Sequence, residues 1–75
     1  MYRIKEENIG QLTYVKTSYY SEILGLTPVL LYQLFGGKAT TKLSTAKGII
    51  SIAYSIPLTD EKMGELLEKH FTKVK

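Results

Sequence analysis

Residues 17–37 read TSYYSEILGLTPVLLYQLFGG, and their punctuation decides the fold. Thr17 or Ser18 offers an N-cap oxygen to a helix over residues 19–24. Gly25 then suits the left-handed conformation that closes a helix, because glycine has no Cβ to clash there. Thr27 caps a second helix, and Pro28 follows at its first position, where a missing N–H costs nothing. The second helix runs to about Phe35 and stops at Gly36-Gly37. Leu31 and Leu34 face inward, with Leu24 and Leu26 beneath the turn. A steep crossing of two such helices needs a small residue on the first, a glycine at the turn and an apolar residue on the second. Ser21, Gly25 and Leu31 meet those needs.

Reading outward toward the C-terminus, residues 43–57 (LSTAKGIISIAYSIP) also form a helix. Ser44 caps it, Ala46, Ile49, Ile50 and Ala53 make its core face, Ile52 widens the apolar belt, and Pro57 stops it. The β-branched residues allow a strand, but Ala46 and the absence of strict alternation favour helix. Gly48 costs about 1 kcal/mol against alanine in a helix interior, so close approach of another backbone is expected there. The last helix starts at Thr59, with Asp60 and Glu61 in the first turn where the dipole favours acids. Leu58 and Met63 form its hydrophobic staple. Met63, Leu66, Leu67, His70, Phe71 and Val74 recur at helical spacing as one stripe. At the other end, Asn8 caps a helix over residues 9–15 with Ile9 and Leu12 inward, although Tyr14 and Val15 equally allow an extended stretch. The expected fold is all-α: one domain over residues 1–75, a compact bundle of about five short helices.

A chain of 75 residues buries only about 60% of its unfolded surface, so stability is marginal or shared with a partner. A hydrophobic fraction of 44% suits a globular domain. Cysteine is absent and His70 is the single histidine, which excludes disulfide scaffolds, thiolate zinc sites and imidazole-rich metal sites. The apolar runs at residues 29–31 and 49–56 fall far short of the roughly 18 residues that span a membrane. The opening MYRIKEENIG has no signal-peptide core, so a cytoplasmic protein without cofactor, metal or membrane anchor is expected. The net charge of +3 is local. Lys38, Lys42 and Lys47 lie in an acid-free segment, and residues 17–37 carry one charge, Glu22.

The unit at residues 17–36 is a helix-turn-helix. Its turn, Glu22-Ile23-Leu24-Gly25-Leu26-Thr27-Pro28, resembles that of the Cro- and lambda-repressor-type family. Gly37-Lys38, and then Leu43, Thr45, Ala46 and Ile49, resemble the family's approach to its fourth helix, so the likeness covers residues 17–53. The resemblance implies a five-helix fold, a second helix of the unit that enters the major groove, and two-fold dimers on operator DNA. Carried over by position, it implies that Thr27, Pro28, Val29, Tyr32 and Gln33 read base edges. Lys38, Thr40, Thr41, Lys42 and Lys47 would then hold phosphates.

The phosphate set suits that role and the reading set does not. Base edges are read by bidentate Arg, Lys, Asn or Gln, and among the reading residues only Gln33 qualifies. Pro28 and Val29 stand where the family often carries polar residues, and Leu30 and Tyr32 add apolar area. Val29, Leu30, Tyr32 and Phe35 instead make an uncharged patch with an aromatic anchor, as protein-binding hot spots do. Small size and an apolar recognition helix resemble the modulator-of-repression antirepressors of phages, which bind a repressor's DNA-binding domain. The expected function is therefore antirepression in a phage-type switch within a bacterial host. Thr27, Pro28, Val29, Leu30, Tyr32 and Gln33 would meet the repressor's helix-turn-helix domain. Direct operator binding and a plain dimerisation or scaffolding role are the alternatives.

Blander readings stand beside each of these. Val29, Leu30 and Tyr32 fill the core if the helix register shifts by one residue. Lys38, Lys42 and Lys47 form a solvated face. Tyr19 and Tyr20 pack on the first helix. His70 is a packed histidine, since no nucleophile or acid is placed with it, and nothing points to an enzyme. Ile52, Tyr54, Met63 and Phe71 fill the core or supply the face of a homodimer.

Overall fold

The computed structural model describes residues 1–6, 9–55 and 57–74. In chain order it contains β1 (Tyr2–Ile4), α1 (Ile9–Thr13), α2 (Thr17–Leu24), α3 (Pro28–Phe35), α4 (Leu43–Tyr54), α5 (Asp60–His70) and β2 (Phe71–Lys73). The expected small helical bundle is present, with a two-stranded antiparallel sheet added to it.

The turn between α2 and α3 follows the sequence signals. Gly25 takes φ 68° and ψ 27°, and its N–H donates to the Ser21 carbonyl. The Ser21 hydroxyl donates to the Leu26 carbonyl across the same turn, so this small residue also locks it. Thr27 caps α3 by accepting from the Leu30 N–H at 3.2 Å, with Pro28 in the first turn. Thr59 caps α5 by accepting from the Lys62 N–H at 3.1 Å. A Cβ at position 25 would meet nothing within 4 Å, so the cost of alanine there comes only from its left-handed backbone. Gly25→Ala is expected to cost roughly 1–2 kcal/mol. Urea unfolding should show a lowered midpoint with an unchanged slope.

Several boundaries differ from expectation. Helix α2 begins at Thr17 behind Lys16, and α4 begins at Leu43 behind Lys42; neither has a side-chain cap. Thr17, Ser18 and Ser44 therefore do not cap these helices. Helix α1 ends at Thr13, whose hydroxyl turns back to the Ile9 carbonyl, and its proposed cap Asn8 lies outside the described residues. Helix α5 stops at His70, so Phe71 and Val74 leave the expected stripe. Phe71 opens β2 instead, in the register Tyr2↔Lys73, Arg3↔Thr72 and Ile4↔Phe71.

The core lies between α4 and the other elements. Ala46, Ile49, Ile50 and Ala53 on α4 are buried with Leu31 and Leu34 of α3, Leu12 of α1, Leu66 of α5, and Ile4 and Phe71 of the sheet. Tyr20 ties three helices together. Its side chain is fully buried, its hydroxyl donates to the Leu12 carbonyl at 2.6 Å, and its ring lies 5.4 Å from that of Phe35. Gly48 permits a close approach, but by a side chain: a Cβ there would sit 2.7 Å from Leu24 Cδ2.

Burial pushes the Tyr20 phenol up to about 12 from its ordinary 10.0. Below pH 10 the phenol is protonated in both folded and unfolded chains. As pH rises toward 12, the unfolded phenol ionises while the folded one keeps its proton, so stability falls. The excess stability of wild type over Tyr20→Phe should therefore shrink between these pH values, read from urea midpoints.

Candidate functional site

Helix α3 divides into two faces. Leu31 and Leu34 have no exposed surface and anchor it to the core, while Val29 is 65% and Tyr32 67% exposed. The register reading that would bury Val29 and Tyr32 therefore does not hold. Leu30 is half-buried against the core and offers only an edge. Phe35 is also half-buried and packs on Tyr20, which removes it from the exposed patch. Thr27, Pro28 and Gln33 are exposed. The Thr27 hydroxyl already accepts from its own helix, so it is tied to the cap.

The glycines after α3 terminate the helix. The Lys38 N–H donates to the Gln33 carbonyl and the Gly37 N–H to the Leu34 carbonyl, with Gly37 at φ 72°. This is a Schellman closure, in which the left-handed residue favours glycine. It sends the chain away from α3 and leaves Tyr32 and Gln33 open near its end.

The expected phosphate residues differ in exposure. Lys38, Lys42 and Lys47 are exposed, and Thr40 is half-buried. Thr41 is buried, and its backbone exchanges hydrogen bonds with Tyr2 at 2.7 and 2.8 Å. Its hydroxyl is thus withdrawn from the surface that the lysines present.

Sequence reading misses part of the exposed apolar surface. It packs Tyr19 on α1, yet Tyr19 is 51% exposed; only Tyr20 turns inward. Ile23, four residues on, is 57% exposed on the same face of α2. Their spacing is the available signal, but it competes with the stronger inward pattern of Tyr20 and Leu24. Tyr14, after α1, is also highly exposed.

Chemically, the α3 face offers one amide, a phenol and apolar carbon, with no cation between Thr27 and Gly37. Burying a valine or an aromatic ring against a partner stabilises a complex by about 1.5–3 kcal/mol each. A single glutamine reads at most one base pair by bidentate bonds. Elsewhere, His70 is fully buried and its Nε2 lies 2.6 Å from the Tyr54 hydroxyl, which accounts for that ring in packing terms. Among the described residues, no group of three or more His, Asp or Glu side chains is placed to hold a metal, and no helix is long and apolar enough to cross a membrane. Comparison with protein-family models, curated proteins and solved structures finds no match for this chain.

Proposed function

We infer that this chain is a small helix-turn-helix transcriptional regulator of a phage-type genetic switch. It acts as an antirepressor rather than as an enzyme. It binds the DNA-binding domain of a repressor through α3, chiefly by Val29, Tyr32 and Gln33, with Leu30 contributing its exposed edge. The repressor so occupied does not dock on its operator, and the place of action is the bacterial cytoplasm. One observation carries this reading. The exposed face of the second helix of the unit holds an aromatic anchor and a valine where a DNA reader needs bidentate polar groups.

The exposed Lys38, Lys42 and Lys47 favour a second reading, in which the protein binds operator DNA itself. Titration with duplex DNA at physiological salt separates the two. Antirepression expects weak binding by the chain alone, without sequence preference, and a stoichiometric complex with the DNA-binding domain of a phage repressor. A nanomolar, sequence-specific complex of the chain with DNA would reverse the ranking. In that case Lys38→Ala and Lys42→Ala should weaken binding to every duplex. Each should also reduce the salt slope by about one unit, because one phosphate fewer is neutralised.

A further inference from the structure

A groove runs along α5, between that helix and the elements packed beside it. Its first hollow, of about 310 Å³, is bordered by Tyr2, Gly64, Leu67, Glu68, Phe71 and Lys73. Through Tyr2, Gly64 and Leu67 it opens into a second hollow, of about 360 Å³, which reaches Lys47, Asp60 and Met63. Asp60, Gly64 and Glu68 are spaced four residues apart, so they form one ridge of α5 and one wall of the groove. Met63 and Leu67 form the neighbouring row and, with Tyr2, the floor. On the other side stand Lys47 of α4 and Lys73 of β2, the latter opposite Tyr2 in the ladder and therefore on its face of the sheet. One wall is acidic and the other basic. Within the described residues, none of these four charged side chains makes an ion pair or a hydrogen bond.

Gly64 is a notch in the acidic ridge. After proline, glycine is the poorest helix former, yet it stands here in the interior of α5. A Cβ there would meet nothing within 4 Å, so no contact inside the chain asks for the missing side chain. What glycine leaves free is room for a group from outside.

We propose that this groove binds an amphipathic helix of a partner protein. The helix lays its apolar stripe on Tyr2, Met63 and Leu67, with basic residues along its α5 side and acidic residues along the other. Charge complementarity selects this occupant. Charges flanking an apolar seam set the choice and direction of a packed helix, as they do in coiled coils. A nucleic acid would be repelled along the ridge of Asp60 and Glu68, and a peptide of one sign would meet one wall of its own sign. An extended peptide adds to a sheet through a free strand edge. The outward backbone groups of Tyr2 are already bonded to Thr41, so the groove offers it no such edge on β1. Asp60 to Glu68 spans about 12 Å, roughly two helical turns, which a short helix covers. Its direction is fixed, because reversing it would set like charges against both walls. A large side chain of the incoming helix fits over Gly64, between the two acids. The site uses no residue of α3, so it stands whichever partner α3 takes.

The test uses a hydrocarbon-stapled helical peptide of about four turns, labelled for fluorescence anisotropy. It carries a leucine stripe, lysines along one flank and glutamates along the other. Wild type should bind it in the micromolar range, and should bind versions with lysines on both flanks or glutamates on both flanks several-fold more weakly. Gly64→Leu fills the notch and should abolish binding. The same variant should melt a few degrees higher, because leucine favours helix and its Cβ has room, so lost binding is not misfolding. Glu68→Lys, exposed in the last turns of α5, removes an acid from the ridge. It should weaken the mixed peptide and strengthen the one with glutamates on both flanks. Equal binding of the three peptides by wild type overturns the proposal, as does unchanged binding by Gly64→Leu. So does wild type that binds none of them at millimolar concentration. Self-association of wild type that Gly64→Leu removes also overturns it, since a second copy then fills the groove. Should Gly64→Leu fail to fold, the exchange of peptide preference in Glu68→Lys decides alone.

Discussion

Val29→Asp is expected to leave the domain folded and to abolish capture of the repressor domain. Val29 is two-thirds exposed, and exposed substitutions change stability by about 0.5 kcal/mol or less. It also lies in the first turn of α3, where the helix dipole favours a carboxylate. In the complex the same carboxylate would be buried against apolar surface without a partner, at a cost of several kcal/mol. Tyr32→Ala removes the aromatic anchor, and a loss of about 2 kcal/mol weakens binding about 30-fold. Calorimetry against the repressor domain reads the affinity, and a reporter strain reads whether repression persists. If Val29→Asp still relieves repression at the wild-type level, α3 is not the interface. Lys42→Ala serves as the contrast, since it should impair direct DNA binding and spare antirepression.

Tyr20→Ala should strip the protein of much of its stability. It opens a cavity in the core and leaves the Leu12 carbonyl without its donor. Truncating a buried aromatic residue costs about 3–5 kcal/mol, and a domain of this length has only about 4–11 kcal/mol to lose. Tyr20→Phe keeps the packing and removes the hydrogen bond, so it should cost about 1–3 kcal/mol. Thermal unfolding followed by circular dichroism checks both. If Tyr20→Ala stays folded with a melting point near wild type, the three-helix junction is held elsewhere.

The turn and caps are legible in the sequence because they are local. Gly25, Thr27-Pro28 and Thr59 act through backbone conformation and hydrogen bonds that span a few residues, so short sequence patterns specify them. The inward faces of α3 and α4 are legible for a related reason: apolar residues at helical spacing can be buried together in only one way. The exposed character of Val29 and Tyr32 follows from the same periodicity once Leu31 and Leu34 are buried.

What escapes the sequence is decided between distant residues. Phe71 and Val74 extend the helical stripe of α5, yet the chain leaves the helix after His70. There Phe71 is buried and the strand gains a ladder with residues some seventy positions away. No window along the chain contains both halves of that ladder. Tyr19 and Tyr20 are adjacent and chemically identical, yet it is Tyr20 that is buried, with its hydroxyl on the Leu12 carbonyl and its ring on Phe35. Thr41 reads as a surface threonine until Tyr2 pairs with its backbone. Gly48 marks a close approach, but the approaching group is the side chain of Leu24 on another helix. Local backbone preference and periodicity thus set this protein's helices and their inward faces. Strand pairing, the choice between neighbouring tyrosines and the burial of Thr41 came from tertiary contacts, because burial and hydrogen bonding between distant segments outweigh the weak local preference of three or four residues.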